Sequence, residues 1–197
     1  MPRPKGLTGR APILSAGEFE RVLEAARSLT YPARDRAILL VSFYLGLRAK
    51  EIASLRFGDV YTVDGEVRHV LHIKRDYSKK NRMRDVYLSS DRLRSALASY
   101  RLFRQPAAPD HPLFATRSGK AFSPNGMVVL FGRIYRHAGF EASSHSGRRT
   151  MITRLAEQGV DLKAIATLAG HASITTTCIY VEENPARLAR IMAAVEL

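Results

Sequence analysis

The sequence predicts an α+β domain, mainly α, carrying one small three-stranded antiparallel sheet. Three observations predict it. Apolar residues recur with helical spacing up to residue 55 and again from Asp91 onward. Between Val60 and Leu88 that period gives way to short β-rich runs around an Asp64-Gly65 turn. The 197 residues are 46% hydrophobic and 25% charged, a globular balance at a length that suits one domain.

The elements follow in order. Ser15 and Glu18 match a capping box, and Phe19, Val22, Leu23 and Ala26 then line one helix face. A more apolar helix spans 32–45, opened by Pro32 and stopped by Gly46, and a short one covers 49–55. Strands 60–63 and 67–73 pair across Asp64-Gly65, and 84–88 supplies the third strand after a charged loop, 74–82. Helices resume over 91–104 and from Ser123-Pro124 to Gly139, with Met127, Leu130, Phe131, Ile134, Tyr135 and Ala138 as one stripe. Further helices are expected over 146–158, 161–169 and 173–183. Asn184-Pro185 opens a last one, with Leu188, Ile191, Met192 and Val195 on one face. Residues 1–12, with Arg3, Lys5 and Arg10 among prolines and glycines, read as a flexible basic arm before a single unit, 13–197.

Charge narrows the function. Thirty-one Lys and Arg against eighteen Asp and Glu leave +13, which calls for a polyanionic partner, nucleic acid first. The one cysteine, Cys178, excludes a disulfide framework and a cysteine-based metal site. No apolar signal region follows the N-terminus. The longest apolar stretch, 37–47, contains Ser42 and is far shorter than the roughly 18 residues of a membrane span, so a cytoplasmic protein without a membrane partner is expected. The phosphate-binding loop, the dinucleotide glycine fingerprint and His-Glu-x-x-His are all missing. No metal and no cofactor is expected.

Chemistry on a phosphodiester without a metal needs fixed cations, a nucleophile and a proton donor. Arg48 stands at a helix start in Gly46-Leu47-Arg48-Ala49-Lys50-Glu51-Ile52, where a guanidinium and helix N–H groups can meet one anion. His145 and Arg148, three apart in Ser144-His145-Ser146-Gly147-Arg148-Arg149-Thr150, share a helix face. His171 follows Gly170 at a helix end, and Tyr180 comes nine residues later. Each alone reads as an ordinary surface or core residue. The ordered combination does not.

Gly-Leu-Arg-x-x-Glu-Ile, a Lys in a β-turn, His-x-x-Arg-Arg, Leu-Ala-Gly-His and then Tyr together resemble the tyrosine recombinase (phage integrase) family, over about 13–185. The resemblance implies the family's helical DNA breaking–rejoining catalytic fold. It implies Arg48, His145, Arg148 and His171 as the phosphate-binding set and Tyr180 as nucleophile. The family's turn lysine precedes a Val/Ile-Pro-Leu element by seven residues. Here that element is Val86-Tyr87-Leu88, which selects Lys79, with Lys80 as competitor because Tyr87 stands in the proline's place.

On this reading the two arginines fork onto the non-bridging oxygens and stabilise a pentavalent transition state. A phenol of ordinary pKa, about 10, must lose its proton as it attacks, with His145 as acceptor. Lys79 protonates the departing 5′-oxygen, and His171 donates a hydrogen bond to the phosphate. DNA affinity rests on Lys74, Arg75, Lys80, Arg82 and Arg84 of the hairpin and on Arg149. The resemblance further implies double-stranded DNA as partner, a homo-oligomer (dimer to tetramer synapse) and nucleoid association, and leaves open whether an accessory factor bends the DNA. It leaves the 184–197 helix either exchanged between protomers or packed on its own domain. In size the chain is similar to the small fimbrial phase-variation invertases, so no separate N-terminal core-binding domain is expected. Two alternatives stay open: a non-catalytic DNA-binding regulator derived from a recombinase, and a type IB topoisomerase-like relaxing enzyme. Two departures from the family pattern, Gly147 for an apolar residue and Ala169 for a common Leu, are expected to remove packing beside the site.

Overall fold

The computed structural model describes residues 11–77, 83–104, 108–180 and 192–193. Ser15 accepts the Glu18 N–H while the Glu18 carboxylate accepts the Ser15 N–H, and this box starts α1 (Ala16–Ala25). Helix α2 (Pro32–Leu45) opens on a proline and ends at Gly46 in the left-handed conformation, φ +60°. Ten of its fourteen residues are buried, so it is the post around which the other helices gather. It packs chiefly against α5 (Asp91–Leu102) and α7 (Ser146–Glu157). Helix α3 (Ala49–Ser54) lies on α6 (Pro124–His137), whose buried stripe Met127, Leu130, Phe131, Ile134 and Tyr135 matches the sequence pattern. Among the described residues no helix is long and apolar enough to cross a membrane.

Among the described residues the sheet has two strands, not three. β1 (Val70–Ile73) runs antiparallel to β2 (Arg84–Tyr87), with Leu71 opposite Val86. The expected first strand, 60–63, is reduced to one bridge, Tyr61 with Val67, around the Asp64-Gly65 turn. The reason is local. Asp59 caps the Arg56 N–H at 2.9 Å and starts a one-turn helix, α4 (Phe57–Val60), which buries Phe57 and Val60. Val60 is therefore a helix end pressed into the core, not a strand residue.

Two apolar clusters result. The larger joins α1, α2, α3, α5 and α6 with the inward side chains of the sheet. The smaller sits between α7 and α8 (Leu162–Ala169): Met151, Ile152, Ala156, Ile165 and Ala169, with Tyr180 packed on its edge. The short α9 (Ile174–Cys178) lies against α8 and leads to Tyr180. The expected last helix, with Leu188, Ile191 and Val195, falls outside the described residues.

The two departures do not loosen the packing. A Cβ at Gly147 would lie 2.3 Å from Ser42 Oγ and 2.9 Å from Phe43 Cδ2, so α2 already fills that space. Ala169 is fully buried in the smaller cluster.

Candidate active site

Helices α2 and α8 stop in left-handed glycines, Gly46 and Gly170 (φ +60° and +65°), and carbonyls at these two ends hold the two arginines. Arg148, itself 3% exposed, donates from Nη1 to Gly46 O at 2.8 Å and from Nη2 to Ala169 O at 2.6 Å. Arg48 donates to Gly170 O at 3.4 Å. Arg148 thus bridges the ends of α2 and α8, and Arg48, which follows the α2 end, reaches across to the α8 end. Burial, then the nearby Arg48, lowers the Arg148 pKa to about 10, so it stays charged at neutral pH in an environment that disfavours the charge.

Glu51 completes the cradle. Its carboxylate, fully buried, accepts the Arg48 N–H at 2.8 Å and Arg48 Nη1 at 3.1 Å. It also accepts both terminal nitrogens of Arg84, at 2.8 and 2.9 Å. Burial alone would raise the Glu51 pKa. The Arg84 fork, then Arg48, outweighs it and holds the carboxyl below its usual range.

His171 follows Gly170 and is half-buried, with Nδ1 2.8 Å from Thr177 Oγ1. Burial, then Arg148, Arg48 and Arg84, depresses its pKa to about 4, so it is neutral at physiological pH. Tyr180 stacks on it with ring centroids 5.5 Å apart and planes 19° from parallel. Thr153 Oγ1 reaches the Tyr180 carbonyl at 3.4 Å. His145 is exposed at the N-cap of α7, one turn before Arg148. Thus Arg48, Arg148, His171 and Tyr180 gather around two helix ends, with His145 at the head of the helix that carries Arg148.

The expected DNA-contacting cations divide. Lys79, Lys80 and Arg82 lie outside the described residues. Arg75 is exposed. Lys74 instead anchors the hairpin root: its ammonium lies 2.7 Å from Asp59 Oδ1, an ion pair that raises its pKa. The Arg84 side chain is 6% exposed and committed to Glu51 and to the Leu168 carbonyl, at 3.0 Å, so it is a cradle residue rather than a surface one. Arg149 donates to Ala11 O at 2.8 Å, while Thr150 Oγ1 accepts the Leu14 N–H at 3.0 Å; together they fasten the start of the chain to α7. Glu51 and Thr177 were missed as site residues. Glu51 stood in the motif, three after Arg48, at a spacing that could have flagged it. No sequence signal singled out Thr177 among its neighbouring threonines.

The model of the phage integrase family matches residues 12–187. Tyrosine recombinase XerC 2 of Ralstonia nicotianae is 32% identical over 174 residues, 85% of this chain and 48% of that protein. Tyrosine recombinase XerC of Azotobacter vinelandii is 30% identical, over 95% of this chain and 61% of that one. The chain thus spans about half to three-fifths of these curated relatives. A crystal structure of XerA recombinase superposes with a TM-score of 0.75 at 27% identity, covering 95% of this chain and 66% of that one. With the match running through the Arg48, His145–Arg148, His171 and Tyr180 segments alike, the chain belongs to the phage integrase family.

Proposed function

We propose that the chain is the catalytic unit of a site-specific tyrosine recombinase. The carrying observation is the convergence of Arg48, Arg148, His171 and Tyr180 on the helix ends at Gly46 and Gly170. A scissile phosphate in that cradle meets two guanidiniums on its non-bridging oxygens. The Tyr180 phenol oxygen attacks phosphorus and its proton passes to His145. The bond to the 5′-oxygen breaks, and Lys79 protonates that oxygen. The 3′-phosphotyrosine ester retains the bond energy, so a partner 5′-hydroxyl reverses the steps and joins the strand anew. Neither ATP nor a metal is needed in this sequence of steps.

Double-stranded DNA as substrate is supported by the net charge of +13 and by a XerH relative, 25% identical, described as bound to a palindromic difH substrate. Residues 13–197 form the unit. It assembles on DNA as a dimer to tetramer, with 184–197 passed between protomers, in the cytoplasm at the nucleoid.

The test uses randomised duplexes with scattered nicks, so that the released 5′-hydroxyl fragment diffuses away and adducts accumulate. A detergent-resistant protein–DNA adduct is expected, enriched in one sequence and lost in Tyr180→Phe. Full footprint occupancy without any adduct would support the regulator reading. Relaxation of supercoiled plasmid without sequence preference would support the topoisomerase-like one.

A further inference from the structure

Arg84 is the third guanidinium at the cradle, yet it does not face solvent. Its two terminal nitrogens fork onto Glu51 and its Nε donates to Leu168 O, two residues before Gly170 and three before His171. The stretch is tight: a Cβ at Gly170 would lie 2.8 Å from Arg84 Nη1 and 2.9 Å from Cδ. One side chain on β2 therefore clasps the carboxylate that positions Arg48 and the turn that presents His171.

Charge gives this clasp a second consequence. Glu51 lies within 3.1 Å of Arg48. With Glu51 held only by Arg48, its negative charge would compete with an incoming phosphate for that guanidinium. Three guanidiniums against one carboxylate leave the cradle two positive charges. Without Arg84, one remains, and the carboxylate's demand falls wholly on Arg48.

We propose that Arg84 is a positioning residue of the strand-transfer reaction: it shares Glu51 with Arg48, so that the carboxylate does not draw on Arg48 alone when the scissile phosphate arrives, and it fixes the His171 turn. This deepens the recombinase reading and rests on it. Because β2 begins five positions after Lys79 in the sequence, the same clasp ties the strand that follows the proposed proton donor to the phosphate cradle.

Two probes separate this proposal from the reading beneath it. The first is inorganic tungstate, a tetrahedral oxyanion bound without DNA and followed by thermal shift. Arg84→Ala should weaken tungstate at least about tenfold, and adding Glu51→Gln should restore most of that loss by removing the competing charge. The second probe is the duplex that the wild-type protein recovers from the randomised pool. Single-turnover adduct formation at saturating DNA should slow about 100-fold in Arg84→Ala. DNA affinity should stay within about threefold, and the salt slope should not change.

A direct phosphate contact would instead lower that slope by about 0.9. Arg84→Lys keeps the charge but not the fork; should the alanine variant fail to fold, it serves in its place, with adduct formation about tenfold slower. Unchanged tungstate affinity and adduct rate in a folded Arg84 variant would overturn the proposal. So would a lowered salt slope with wild-type rate, or a double variant no better than Arg84→Ala in tungstate binding. Wild-type protein that binds tungstate with the expected Arg84 dependence but forms no adduct would contradict the recombinase reading and leave the clasp standing.

Discussion

Arg148 is held by the carbonyl of Gly46, a residue 102 positions away that ends the helix leading into Arg48. The bond ties the Arg148 guanidinium to the turn two residues before Arg48, so the two proposed phosphate ligands are held to one helix end. The same arrangement puts a buried cation where burial and like charges oppose it.

That opposition predicts a trade of stability against function. Burial and the neighbouring guanidiniums push the Arg148 pKa down to about 10, so the fold disfavours its charged form. Arg148→Met should fold at least as stably as wild type in urea melts, despite two carbonyls left without their donor, and should form no adduct. Tungstate should stabilise wild type and leave Arg148→Met unchanged.

His171 predicts a pH window. Its folded pKa, about 4, lies below the unfolded value of 6.5, so the unfolded chain binds more protons between those limits. Its contribution is therefore full above pH 6.5 and is lost as pH falls toward 4. Melts across that range should show a decline in stability that is flatter in His171→Gln. An anion in the cradle should raise the His171 pKa, read by NMR titration of its ring protons.

Gly147 predicts a steric cost. Gly147→Ala drives a Cβ into Ser42 Oγ and should destabilise by about 1–3 kcal/mol. Ser42→Gly in the same chain should recover a good part of it, and a double-mutant cycle by chemical denaturation measures the coupling.

Asp59 predicts a mechanical one. It caps α4, pairs with Lys74 and accepts the Tyr77 hydroxyl at 2.8 Å. Asp59→Ala should cost about 1–2 kcal/mol from the cap alone. Hydrogen exchange should then speed up at the hairpin root, residues 70–77, before it does in α2.

The proton donor is tested by chemistry. Lys79→Ala should be rescued by a 5′-phosphorothiolate leaving group, whose departure needs no proton. Rescue in Lys80→Ala but not in Lys79→Ala would move the role to Lys80.

Much of this was legible in the residues. Helix ends were, because each carries its own local chemistry: Ser15 with Glu18, Pro32 with Gly46, Ser123 with Pro124. Strand 60–63 was misread because β-branched valines look alike whether they end a capped helical turn or start a strand. Arg84 was misread because a basic residue in a basic stretch shows nothing of a carboxylate 33 positions earlier. Gly147 was read as lost packing because its neighbour, Ser42, belongs to another helix. Local signals are written in sequence; long-range partners are not.

The most direct measurement is the mass of the proteolytic peptide left on DNA after adduct formation and nuclease digestion. The peptide containing Tyr180 should carry one nucleotide through a 3′-phosphate on the phenol oxygen. A nucleotide on any other residue, or an adduct that persists in Tyr180→Phe, would contradict a cradle built to bring that tyrosine to the phosphate.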